Sequence, residues 1–155
     1  AIEPVVERAL AEPYFSAPLP KTTGRELFDR EYIARFIERC RASHAAASTE
    51  DIVATAVALT ARSIAGAYRR FNTAPVKDVV LSGGGARNTV LVQALEQSLA
   101  PRTVRLFDEL FFDGAAKEAV AFAYLGLLFL DRSAGNVPAA TGARGPRVLG
   151  KLTPA

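Results

Sequence analysis

Methionine is absent from this chain, cysteine and histidine occur once each, and neither sign of charge prevails. With only Cys40, an internal disulfide is excluded, which fits a reducing compartment; the expected location is cytoplasmic. The only histidine, His44, has the single Cys40 four residues before it but no second histidine or second cysteine, short of the ligand count of a zinc-type site. Nineteen basic residues against 16 acidic ones leave a net charge of +3, and the arginines are spread along the chain. That is not the footprint of a nucleic-acid binder, and none is expected as a partner. The longest uncharged apolar run, Ala119 to Leu130, has 12 residues. A membrane span needs roughly 20, so no membrane partner is expected and the run reads as a buried helix. No basic, apolar and small-residue leader opens the chain, so no signal peptide is expected. The helical look of the first residues and the missing initiator predict that the chain is the trailing part of a longer protein.

What is present is ordinary globular material: 155 residues, half apolar and 23% charged, enough for one domain with a core. Helical spacing appears over 2–12 and stops at Pro13. The stretch 13–24 holds three prolines, a glycine and two aromatic anchors, Tyr14 and Phe15, and reads as a loop. A second helix is predicted over 27–42, with Phe28, Tyr32, Ile33, Phe36, Ile37 and Cys40 on one face. Ser48 and Asp51 have the spacing of a capping box and open a long helix from Thr49 to Phe71. A break at 72–75 follows. The period then changes, with a strand at 78–82, a helix at 88–99 ended by Pro101, and a second strand at 103–107. This is a βαβ unit of a parallel sheet, and the fold class is α/β. A further helix is expected at 115–130, then a loop-like tail with a short final strand at 147–149. No internal repeat or low-complexity tract is present.

Between the first strand and its helix stand Gly83, Gly84 and Gly85, followed by Ala86, Arg87 and Asn88. In regular structure each glycine costs about 0.5–1 kcal/mol relative to alanine, so this turn needs backbone without side chains. A strand passing through glycines into a helix N-terminus is a phosphate- or nucleotide-binding geometry. Neither G-x-G-x-x-G nor the P-loop Gly-Lys-Ser/Thr matches these contiguous glycines. Taken alone, the three glycines fit a tight turn without ligand equally well.

Other segments narrow the choice. Leu81 to Asn88, LSGGGARN, resembles the adenosine motif of the actin-like ATPase superfamily. Pro13-Tyr14-Phe15, the run from Pro20 to Phe28 (PKTTGRELF), the Gly83–Asn88 turn, the run from Ala116 to Ala123 (AKEAVAFA), Gly135-Asn136-Val137-Pro138, Thr141-Gly142-Ala143 and Val148-Leu149-Gly150 together resemble the anhydro-N-acetylmuramic acid kinase family. The resemblance runs from end to end and places residues 1–155 as the C-terminal lobe of a two-lobed enzyme. It implies one lobe of an actin-like (ribonuclease H-like) fold, a mixed sheet flanked by helices. It implies ATP with Mg²⁺, and an amino-sugar substrate whose 1,6-anhydro ring is opened by water while O6 is phosphorylated, in peptidoglycan recycling. It implies that the missing N-terminal lobe holds the general-base aspartate and the phosphate loop, so no catalytic residue and no metal ligand is assigned to residues 1–155.

The resemblance also assigns binding residues. Gly83, Gly84 and Gly85 would meet the adenine and ribose side of the nucleotide through backbone, and Asn88 would cap the following helix and touch the nucleotide. Glu118 would accept hydrogen bonds from sugar hydroxyls; without the resemblance it is a first-turn acid on a helix. Lys21, Thr23 and Arg25 would approach phosphate or substrate, or form a solvated connection. Asp108, Glu109 and Asp113 stand after the second strand, where a Mg²⁺ site or plain acidic loop residues are expected. Cys40 reads as a core thiol, and Ala121, Ala123 and Gly126 permit close helix approach. Apolar cleft surface left by the missing lobe would be a dimerisation patch. Two rivals remain: a non-catalytic nucleotide-binding or assembly module of the same fold, and half of a dinucleotide-binding dehydrogenase with Asp108, 23 residues beyond Gly85, on a ribose.

Overall fold

The structure, a computed structural model, describes residues 1–19, 21–72 and 74–153. Pro20 of the PKTTG run and Thr73 of the predicted break lie outside the described residues. The chain divides into two compact units, Ala1–Leu106 and Phe107–Ala155.

In the first unit α1 (Glu3–Leu10) and α3 (Arg30–Ser43) pack with α4 (Thr49–Phe71). Pro13, expected only as a stop, also opens a short helix, α2 (Pro13–Ser16). At the first helical position its missing N–H costs nothing, and its fixed φ suits the helix. α3 starts later than the apolar pattern suggests, because the Asp29 side chain caps it, accepting from the Tyr32 N–H at 2.7 Å. The capping box on α4 is present in both directions: the Asp51 N–H donates to Ser48 Oγ at 3.2 Å, and the Ser48 N–H to Asp51 Oδ2 at 3.0 Å. The bond from the Ser48 N–H, and after it the Ser48 hydroxyl beside the carboxylate, hold the Asp51 carboxyl below its ordinary range. A depressed carboxyl stabilises the fold above its unfolded-state pKa and loses that contribution as pH falls. Asp51→Ala should therefore lower the urea midpoint of the first unit at neutral pH, and the gap to wild type should close below about pH 4.

Two apolar clusters meet on α4. Val5, Val6, Ala9, Phe36, Cys40 and Leu59 form one. Ala61, Ala65, Val79, Leu95 and Leu99 form the other. Cys40 is fully buried, and burial pushes its thiol above the ordinary cysteine value, as expected of a core residue. Thr55, the one buried polar residue among those described, is satisfied twice. Its Oγ1 donates to the Asp51 carbonyl at 2.6 Å and accepts from the Ile2 N–H at 2.9 Å, tying α1 to α4.

The βαβ unit forms as expected: β1 (Asp78–Leu81), α5 (Thr89–Leu99) and β2 (Thr103–Leu106), with Asp78 opposite Thr103 and Leu81 opposite Leu106 in parallel register. α5 packs against α4. The sheet is two-stranded and parallel within the described residues, not mixed.

The second unit holds α6 (Phe107–Leu110), a 3₁₀ turn (Gly114–Ala116), α7 (Lys117–Leu130) and α8 (Pro138–Thr141). The strand expected at 147–149 does not form. Backbone groups there serve a loop clamp instead: Asn136 Oδ1 accepts from the Arg147 N–H at 2.7 Å, and the Gly135 N–H donates to the Arg147 carbonyl at 3.0 Å. α7 corrects a second expectation, because none of its residues is buried and Phe122 is 72% exposed. Its sequence is apolar on all sides, a pattern that predicts cover without supplying it. Gly126 has nothing within 4 Å of where a Cβ would stand. No helix among the described residues is long and apolar enough to cross a membrane.

Candidate functional site

β1 ends at Leu81 and the chain turns through Gly83, whose φ of 86° lies where side chains are strained. Gly84–Arg87 then form one 3₁₀ turn, closed by the Ala86 N–H on the Gly83 carbonyl and the Asn88 N–H on the Gly85 carbonyl, both at 3.1 Å. Asn88 ends this turn and starts α5: its Oδ1 accepts from the Leu91 N–H at 3.1 Å, so the expected cap is present. The first amides of α5 carry the positive end of the helix dipole toward the turn.

The three glycines are not equivalent. Only Gly83 is needed by the backbone conformation. A Cβ at Gly84 would meet nothing within 4 Å, and one at Gly85 would touch Leu91 Cδ2 at an ordinary 3.6 Å. The fold itself therefore gives no steric reason for Gly84 or Gly85. All three glycines and Asn88 are exposed, so the turn presents a strip of bare peptide.

Lys21 is not brought to this strip. Its Nζ donates to the Tyr14 and Phe15 carbonyls at 3.0 and 3.3 Å and lies over the rings of Tyr14 and Phe71. Phe71 is the last residue of α4, and the first turn of that 23-residue helix lines a cavity with Asn88. At 1.5 Å per residue α4 is about 33 Å long, which separates Lys21 from the glycine turn. Thr23 Oγ1 donates to the Gly24 carbonyl at 3.4 Å, and Arg25 is exposed.

In the second unit, Glu118 is exposed in the first turn of α7. Asp108 Oδ1 accepts from the Gly114 N–H at 2.7 Å and Asp113 Oδ1 from the Ala115 N–H at 2.8 Å. A Cβ at Gly114 would stand 2.5 Å from Asp108 Oδ1, so that loop is built around the carboxylate. These acids act as turn acceptors, and among the described residues no group of three His, Cys, Asp or Glu side chains could hold a metal ion. His44 ends α3, its N–H donating to the Cys40 carbonyl at 2.9 Å.

Sequence reasoning missed the α4 side of the cavity, where Glu50, Val53 and Val57 face Asn88 and Val90. No sequence signal marked it: Val53 falls within the helix's apolar pattern, and its 56% exposure is visible only in the structure.

A parallel strand, a glycine turn and a side-chain-capped helix define an α/β protein. The family model described as Anhydro-N-acetylmuramic acid kinase matches residues 2–155, and the chain belongs to that family. Similar proteins carrying that name include one from Streptomyces avermitilis, 45% identical over 98% of this chain and 38% of the relative. Another, from Acaryochloris marina, is 43% identical over 97% of this chain and 39% of its own length. One from Nitrosomonas europaea is 40% identical over 99% and 40% respectively. The chain thus spans about two fifths of the length of the curated relatives it matches. These matches establish the family; they do not bear out the placement as a C-terminal lobe.

Proposed function

We propose that the protein to which this chain belongs is an ATP-dependent sugar kinase acting on 1,6-anhydro-N-acetylmuramic acid, and that this chain supplies the nucleoside side of its site within an actin-like lobe. The observation that carries the reading is the bare backbone at Gly84 and Gly85, which the fold does not require and a nucleoside lying on the main chain does. Gly83 sets the bend, and Asn88 fixes the start of α5 against it. Glu118 is the acceptor for sugar hydroxyls, its exposed carboxylate able to take two donors at fixed geometry. Lys21 holds its loop to α4, and of that run Thr23 and Arg25 remain the candidates for phosphate.

In this reading water, giving a proton to the general base, adds at the anomeric carbon, the bond from that carbon to O6 breaks, and O6 takes the terminal phosphoryl group of ATP with release of ADP. Positioning and electrostatics do the work, as in phosphoryl transfer generally. The general base and the phosphate loop belong to the other lobe. Asp108 and Asp113 each hold a backbone amide in place, and among the described residues they have no third such ligand grouped with them, so no step of the reaction is routed through a metal held by them. The lobe supplied is the C-terminal one, on the order of the motifs. A reading frame that runs on past this segment into the phosphate loop would overturn that placement.

The test is phosphoryl transfer from labelled ATP to the anhydro sugar. The intact protein should turn over, and the 155-residue chain alone should not. Nucleotide binding by the intact protein without turnover of any sugar would instead favour the non-catalytic module.

A further inference from the structure

The C-terminal half of α4 gathers positive charge around a cavity of about 250 Å³. Arg62, Arg69 and Arg70 line it from the helix and Lys21 from the stretch between α2 and α3, and among the described residues no acid lines it. Arg62, Gly66 and Arg70 follow at four-residue steps, so they share one face of the helix, with Gly66 as a gap between two guanidinium groups. Lys21 and Arg70 both lie on the Phe71 ring, the Nζ at 5.4 Å and the guanidinium carbon at 5.3 Å from its centre. Like charges gathered in this way repel, and an anion placed between them turns repulsion into attraction. Two carbonyls take two of the three ammonium hydrogens of Lys21 and leave one for a further acceptor. Part of this has a plain reading: last-turn arginines suit the dipole of α4, and Arg62 is paired with Glu3. Neither accounts for Gly66. Glycine is the poorest helix former after proline, and a Cβ here would meet only Arg69 Nη2, at 4.0 Å, among the described residues. The fold gives no steric reason for this glycine, and a side chain there would fill the floor of the cavity.

We propose that this cavity binds a small phosphate monoester, its dianion held among Lys21, Arg69 and Arg70 and its organic part against Phe15 and Phe71. Guanidinium forks match phosphate oxygens, and three cations on one group favour a double charge over a single one. The volume lies below the 300–1,000 Å³ usual for ligand pockets, so the organic part is no larger than a single ring. The site stands at the end of α4 opposite the turn that lines a cavity with Asn88, and it does not rest on the nucleotide reading of the glycine turn.

The test is calorimetry with phenyl phosphate on the intact protein, saturated beforehand with a non-hydrolysable ATP analogue so that no nucleotide phosphate position is open. Wild type should bind phenyl phosphate, and benzoate, with the same ring and one charge, about tenfold more weakly. Gly66→Leu should weaken phenyl phosphate by about tenfold or more while its unfolding midpoint holds or rises, because leucine is the better helix former. Arg69→Gln, at an exposed position, should weaken it by about tenfold, the worth of one charge-assisted hydrogen bond. If Arg69 serves the helix dipole alone, the same variant lowers the midpoint and leaves the affinity unchanged, which overturns the site. It is overturned as well if wild type binds no phenyl phosphate, if benzoate binds equally, or if folded Gly66→Leu binds like wild type. Should Gly66→Leu fail to fold, Arg69→Gln decides alone.

Discussion

Gly84→Val should abolish tight nucleotide binding by the intact protein and leave its folding undisturbed. The two halves of this expectation have separate causes. Gly84 is not at positive φ, and a Cβ there meets no atom within 4 Å. A branched residue therefore fits the folded backbone, and the stability change should stay within about 1 kcal/mol, with reduced freedom of the unfolded chain partly offsetting the lower turn propensity. The same side chain would stand on the exposed strip of the turn, where a ligand must approach the peptide plane. Loss of that approach should raise the Kd for ADP by tenfold or more, about 1.4 kcal/mol at the least. Gly83→Val is not an equivalent test: at φ 86° it strains the turn itself, so lost binding would report misfolding as readily as a blocked site. Calorimetric titration with ADP, beside urea unfolding of the same preparations, reads both quantities. An unchanged Kd would reduce the three glycines to a connection between strand and helix.

Leu99→Ala should do the opposite, costing stability and sparing the site. Leu99 closes α5 at 1% exposure and packs with Ala61, Ala65, Val79 and Leu95. Truncating a leucine in such a place costs about 2–5 kcal/mol, from lost transfer energy and the cavity left behind. The denaturant midpoint should fall with no change in slope. Asn88 lies at the other end of this 11-residue helix, about 16 Å away, so nucleotide affinity of the folded protein should hardly move. A stability loss under about 1 kcal/mol would mean that α5 is not seated on α4 and the sheet as described.

The elements that read correctly from sequence are those whose signals are local. Ser48 and Asp51 announce α4, and Asn88 announces α5, because a cap needs only residues within one turn. The βαβ unit is legible because apolar period 2 gives way to period 3.6 and back within one stretch. What escapes depends on partners distant in sequence. Thr55 looks like an interruption of an apolar face until its hydroxyl is seen to hold Ile2. Lys21 looks like a phosphate ligand until Tyr14 and Phe71 are seen beneath it. The apolarity of α7 is legible and its exposure is not, because composition records a need for cover and cannot say where the cover stands. At the glycine turn the sequence can count three glycines; only the backbone separates Gly83, required by its dihedral angle, from two whose bareness the fold leaves unexplained.

α4 belongs to both apolar clusters, with Leu59 in one and Ala61 in the other, a single residue apart. Fraying of this helix at mid-length would loosen both clusters together. The first unit should therefore open as one cooperative foldon, and hydrogen exchange should find the slowest amides in the middle turns of α4.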